Sequence, residues 1–142
     1  MTDEGNGTRF ELVALARVSV GPGSRYELPD GPFGSRIIAG IAEGRWEGER
    51  LAGNIVGAGG DWAVAGDGDA MLLDVRQVIE TDDGAVVYVS YNGRCDVTRG
   101  TFTVAPTFET GDERYAWLNV VQAIGQGRFV DGRLEYQMFE VR

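Results

Sequence analysis

The 142-residue chain contains no histidine and no lysine, and its thirteen cationic side chains are all arginine. These absences remove the usual general base near neutral pH, the commonest metal ligand and the amine needed for a Schiff base. A Ser-His-Asp or Cys-His arrangement is excluded, and so is a zincin motif. Cys95 is the single cysteine. It rules out an internal disulfide and a multi-thiolate metal site, and reads as a small buried filler rather than a nucleophile. No metal and no cofactor are expected. No apolar run approaches the roughly twenty residues of a membrane helix. Met1–Thr8 (MTDEGNGT) is acidic and polar where a secretory signal is basic and then apolar, so a cytoplasmic location is expected by default. Any chemistry must use carboxylates, phenols, arginine, amides or shape.

The formal net charge is −9, with the arginines scattered singly. No basic run and no basic–aromatic interleaving is present, which argues against nucleic acid, and the charge opposes an anionic membrane. The apolar share of 43% suits one globular domain, taken as residues 9–142 behind a flexible tail at 1–8.

Twenty-two glycines punctuate short alternating apolar runs without forming a repeat. Turn signals about every ten residues favour a sandwich or barrel over alternating β and α units. Phe10–Val20 has strand periodicity, with Phe10, Leu12, Ala14, Ala16 and Val18 on one face. Gly21–Gly34 carries three prolines and four glycines and is expected to be a loop, long enough to act as a lid or rim. Strands are expected at Arg36–Trp46, Leu51–Val56 and Trp62–Ala65, with Gly57–Gly60 as a flexible corner and Gly66–Asp69 as a tight turn. Asp67 and Asp69 resemble the start of a calcium loop, but no further oxygen ligands follow, and a plain turn is the better reading.

Leu72–Thr81 and Ala85–Asn92 read as a hairpin joined by Asp82-Asp83-Gly84, a three-residue loop ending in glycine. Val75, Gln77, Ile79, Val87, Val89 and Tyr91 then share one face, and Asp74, Arg76, Val78, Glu80, Val86, Tyr88, Ser90 and Asn92 the other. Thr101–Phe108 is a further strand. Thr110-Gly111-Asp112-Glu113 has the form of a capping box and should open a helix over Asp112–Leu118. Strands at Asn119–Phe129 and Leu134–Val141, turned at Asp131-Gly132, complete the chain. The expectation is an all-β fold: one antiparallel β-barrel of about eight to ten strands with one short helix, closed because closure removes exposed edges.

Several segments together resemble the domain of unknown function 3237 family: Arg45-Trp46-Glu47-Gly48 with Leu51 and Gly53, Gly59-Gly60-Asp61-Trp62, and Asp74-Val75-Arg76. Glu80–Ala85 with Tyr88 is similar to that family's central hairpin. The most specific pieces are Ala105–Gly111 and Tyr115-Ala116-Trp117-Leu118-Asn119. The resemblance covers most of the chain from Phe10 onward. It implies a small antiparallel barrel, commonly dimeric, with a ligand-sized interior, and no agreed activity. The family's histidine-containing insertion after the hairpin is missing from Asn92–Gly100, so no histidine-dependent role transfers.

Two function classes follow. The first is a cofactor-independent cyclase or isomerase acting on a hydrophobic, polyketide-like substrate, where holding a flexible chain in a reactive fold supplies much of the acceleration. Small barrels of actinomycete secondary metabolism include pericyclic cyclases, an analogy of fold only. The second is a non-catalytic binder or carrier of a hydrophobic small molecule. Polar groups at one end of the cavity beside a Tyr or Trp favour the enzyme. A uniformly apolar cavity favours the carrier. Asp74, Arg76, Glu80 and Tyr88, within cross-strand reach, are the catalytic candidates if their face turns inward. Hydrophobicity favours turning them outward. Trp62 either stacks on a ring-bearing ligand or plugs the barrel. Trp117 is a ligand contact or core, and Met71, Tyr26 and Phe33 complete the expected contact set. A homodimer is expected from the resemblance, and from the need to cover the oily hairpin face if the polar one points inward.

Overall fold

The computed structural model describes residues 7–142, so most of the expected tail lies outside the described residues. Nine strands run in chain order: β1 (Leu12–Gly31), β2 (Gly34–Glu47), β3 (Ala52–Ala65), β4 (Ala70–Thr81), β5 (Val86–Asp96), β6 (Thr101–Val104), β7 (Thr107–Glu109), β8 (Ala123–Val130) and β9 (Arg133–Val141). All pairings between them are antiparallel. Eight strands close the barrel in the order β1-β2-β3-β4-β5-β6-β8-β9, with β9 returning to β1. The short β7 continues beyond β6 along the same neighbour, β5.

The central hairpin forms because its turn chemistry and its alternation agree. Thr81 N–H donates to the Ala85 carbonyl at 2.8 Å, and Gly84 takes φ +93°, a conformation that glycine adopts without cost. From there Ile79 pairs with Val87 and Gln77 with Val89. Burial resolves the orientation. Val75, Gln77, Ile79, Val87, Val89 and Tyr91 are buried inside the barrel, and Arg76, Glu80, Val86, Tyr88 and Asn92 are exposed outside it. With the oily face inside, the covering argument for a homodimer no longer applies.

Four local expectations are corrected. Gly21–Gly34 is not a loop: β1 continues to Gly31 against β2, with register shifts at Pro22 and again before Gly31. Pairing of β1 with β9 ends at Val20–Leu134, so Pro22 and Pro29 stand on an open edge where a missing N–H breaks no ladder. Gly57–Gly60 is a bulge within a continuous β3 rather than a corner. In β1 a shift between Ala14 and Ala16 reverses the inward phase. Ala16, Val18 and Val20 are buried, whereas Phe10, Leu12 and Ala14 are exposed. Finally, Thr101–Phe108 is broken at Ala105-Pro106 into β6 and β7.

The helix is a 3-10 helix over Glu113–Val120, capped by Asp112 rather than Thr110. The Thr110 hydroxyl is engaged as donor to the Val86 carbonyl at 2.8 Å, and Asp112 accepts from Arg114 N–H at 3.0 Å. Arg114 and the Tyr115 hydroxyl tie the helix to Asp83 in the hairpin turn. Leu118, wholly buried, stoppers that end of the barrel above Trp46, Leu51, Ile79, Val87 and Met138. Trp46 meets Phe108 edge-to-face at 5.6 Å. This half is solid. The other half is hollow, because its inward positions on β2 and β3 include Ala39 and Ala63, which leave volume where Trp46 and Ile79 fill it.

Candidate functional site

The hollow half is a cavity of about 560 Å³, open at the end away from the 3-10 helix. This is within the range of small-molecule sites. Strand alternation builds its wall: Ile37, Ala39 and Ile41 from β2, Met71, Leu73 and Val75 from β4, Leu134 from β9. Phe102 and Phe129, edge-to-face at 5.6 Å, stand at the lip. Cys95 is part of the wall, and burial raises its pKa, which favours the thiol over the thiolate.

Polar groups gather at the inner end. Gln77, 1% exposed, accepts from the Trp46 indole N–H at 2.9 Å and donates through Nε2 to the Tyr91 hydroxyl at 3.1 Å. The indole has no other polar atom, so it fixes which way the amide faces. Tyr91 in turn lies edge-to-face with Tyr136 at 6.3 Å. Burial, together with nearby Asp61, pushes the Tyr91 pKa far up. Burial, then Tyr91 and Asp61, do the same to Tyr136. Both phenols remain protonated across the physiological range. The Tyr91 hydroxyl accepts from Gln77 and also hydrogen-bonds to the Tyr136 hydroxyl, so the three side chains form one polar chain.

Asp61 is the carboxylate of the cavity. It projects inward from β3 and accepts from the Asp74 backbone N–H at 3.0 Å. Burial raises its pKa to about 6, against the opposing pull of that hydrogen bond. A carboxyl poised near neutrality beside two neutral phenols can take up and return a proton while a phenol donates to a carbonyl or enolate oxygen.

The expected catalytic tetrad is placed elsewhere. Asp74, Arg76, Glu80 and Tyr88 occupy the outer face of β4 and β5, and none lines the cavity. Only Asp74 touches the site, through its backbone. Of the expected ligand contacts, Met71 lines the cavity. Trp62 points outward between the inward Asp61 and Ala63, and Tyr26 and Phe33 are exposed on the β1–β2 arm, the part of that hairpin beyond the last β1–β9 pair at Val20. Trp117 lies at the opposite end, under the Arg50 guanidinium at 4.7 Å. Asp61, Gln77, Tyr91 and Tyr136 were missed as site residues. One signal was present: Gln77 and Tyr91 are polar members of an otherwise aliphatic face, and a polar side chain that a sheet turns inward needs a reason to be there.

A closed barrel with a mouth-open cavity, apolar walls and a carboxyl–phenol inner end is the class of molecule that these features define. The chain belongs to the family described as "Protein of unknown function (DUF3237)", whose model matches residues 8–141. A UPF0311 protein of Rhodopseudomonas palustris (strain TIE-1) is 33% identical over 101 residues, 60% of this chain, and the match spans 66% of that relative's length. A solved β-barrel like protein of Acinetobacter baumannii superposes with a TM-score of 0.86 at 28% identity, covering 96% of this chain and 99% of the other. A structure described as an enzyme from Penicillium herquei superposes at TM-score 0.75 and 24% identity over 96% and 98% of the two chains, a likeness of fold alone.

Proposed function

We propose that the protein is a cofactor-independent cyclase or isomerase that holds a hydrophobic, polyketide-like substrate in the barrel. The observation that carries this reading is the position of Asp61, with a pKa of about 6, beside Tyr91 and Tyr136 at the inner end of a cavity whose walls between that end and the mouth are apolar. A carrier needs only the apolar walls, so the polar cluster favours the enzyme.

The step is a proton transfer. The Asp61 carboxylate removes a proton from a carbon next to a substrate carbonyl, and the C–H electron pair moves into the enolate. Tyr91, a neutral donor held by Gln77, hydrogen-bonds to the enolate oxygen where charge develops. The apolar walls hold the chain folded, so that the enolate carbon attacks a second carbonyl in the same molecule, whose oxygen takes the carbonyl π pair and then the proton held by Asp61, or the extended enolate of an enone is reprotonated by Asp61 at its remote carbon. Atoms balance without an added oxidant or reductant.

Turnover of a linear polyketide-like enone by wild type, Asp61→Asn and Tyr91→Phe tests the reading. Loss of the base is expected to slow the reaction about 10²- to 10⁴-fold, within the usual range for general base catalysis. Trp62→Ala and Tyr88→Phe, on the outer face, should leave the rate unchanged. Equal rates with and without protein would overturn the catalytic reading and leave the carrier.

A further inference from the structure

We propose that the ligand of this cavity is a hydrophobic acid, an aromatic or conjugated body carrying one anionic group, and that the group is held at the mouth by Arg128 with Arg25 and Arg99. The inference rests on the reading of the cavity given under Proposed function and adds the charge and direction of what enters it.

Charge is distributed in the cavity against the trend of the whole molecule. The chain has 22 acidic residues to 13 arginines, but the cavity lining has three arginines and one carboxyl, Asp61. The three arginines are exposed, Arg25 on the part of β1 beyond its pairing with β9, Arg99 in the turn between β5 and β6 and Arg128 near the end of β8, and Asp61 is more deeply placed, so the two signs are separated along the cavity. Arg25 and Arg99 are paired with Glu27 at 3.0 Å and Asp96 at 3.5 Å, neither of which lines the cavity. Arg128 has no carboxylate partner among the described residues. Its cross-strand neighbour Glu135 accepts from the Ser19 hydroxyl at 2.9 Å and faces Arg133.

A guanidinium free of a protein carboxylate is a ready bidentate site for a ligand carboxylate. Phe129, next in sequence to Arg128, and Phe102 present ring surface beside it for a flat ligand body. A ligand anchored in this way places its anion away from Asp61. Its neutral end then reaches the Asp61–Tyr91 group, where a second negative charge would be repelled.

Anthracene-2-carboxylate and its methyl ester differ in charge and little in apolar surface, and their affinities for the full chain at pH 8 test the proposal. The carboxylate is expected to bind at least tenfold more tightly than the ester. The triple variant Arg25→Gln, Arg99→Gln, Arg128→Gln should abolish that preference while ester affinity stays within about twofold, showing that the cavity is intact. Equal binding of the two compounds to wild type, or a preference that survives in the triple variant, overturns the rim assignment and leaves the cavity reading standing. Binding of neither compound overturns both.

Discussion

Asp61 and Trp62 are neighbours on a strand, so their side chains leave on opposite faces, and the smaller polar residue is the one that points inward. Its carboxyl is held against the cost of desolvation, which has a measurable consequence for stability. The folded-state pKa of about 6 lies above the ordinary 3.8, so the native protein retains a proton that the unfolded chain gives up. Stability is therefore lost as pH rises from about 4 to about 6, and stays lower above that. Asp61→Asn keeps an acceptor for the Asp74 N–H and removes the charge. Urea midpoints should coincide for the variant and wild type near pH 4, and the variant should be more stable by about 1–2 kcal/mol at pH 8, solvent screening included. The catalytic rate should follow the opposite course. Wild-type turnover should rise with pH through an inflection near 6 as the base ionises, and that inflection should be absent from Asp61→Asn. Trp46→Phe leaves the buried Gln77 oxygen without its donor. A loss of about 1–3 kcal/mol is expected in denaturant titration.

Among the elements, the 3-10 helix and the β1–β2 arm do opposite things at the two ends of the barrel. The helix closes one end through Leu118 and is fastened to the hairpin turn through Asp83. Leu118→Ala should cost about 2–5 kcal/mol by opening a cavity in the solid half. Its affinity for a cavity ligand should nonetheless match wild type when both are folded, because the helix and the mouth are at opposite ends. The helix itself was legible from the Thr110–Glu113 signature, but its cap was not. Thr110 and Asp112 are both good N-caps, and the choice between them was made by the Val86 carbonyl, which engages the Thr110 hydroxyl from another strand. The arm was misread for a related reason. Pro22 and Pro29 look like loop residues in sequence, yet prolines are tolerated where a strand has a partner on one side only, and which part of β1 lacks β9 is a property of the closed barrel.

At the scale of the whole molecule, one end of a continuous barrel is filled by large side chains and the other is left open by small ones. Filling the open end should separate binding from folding. Ala63→Phe points a ring into the cavity from β3 and should abolish ligand binding, with the far-ultraviolet circular dichroism of the barrel retained, because the ring occupies existing space. Loss of the folded spectrum would show instead that the space is needed for packing.

Taken alone, the sequence determined that the chain is an antiparallel β-barrel. Period-two alternation, glycine-rich turns and the hairpin at Asp82-Asp83-Gly84 are local signals, and local signals survive reading one strand at a time. It also determined that any chemistry proceeds without imidazole or lysine amine, since composition does not depend on folding. Which face of the hairpin looks inward was weighed correctly by hydrophobicity, but the functional group drawn from it was the outward one. Asp61, Gln77, Tyr91 and Tyr136 come from β3, β4, β5 and β9, and only barrel closure brings them to one place. The poised pKa of Asp61 has the same origin. It is produced by burial, and burial is a property that a residue acquires from its neighbours in space.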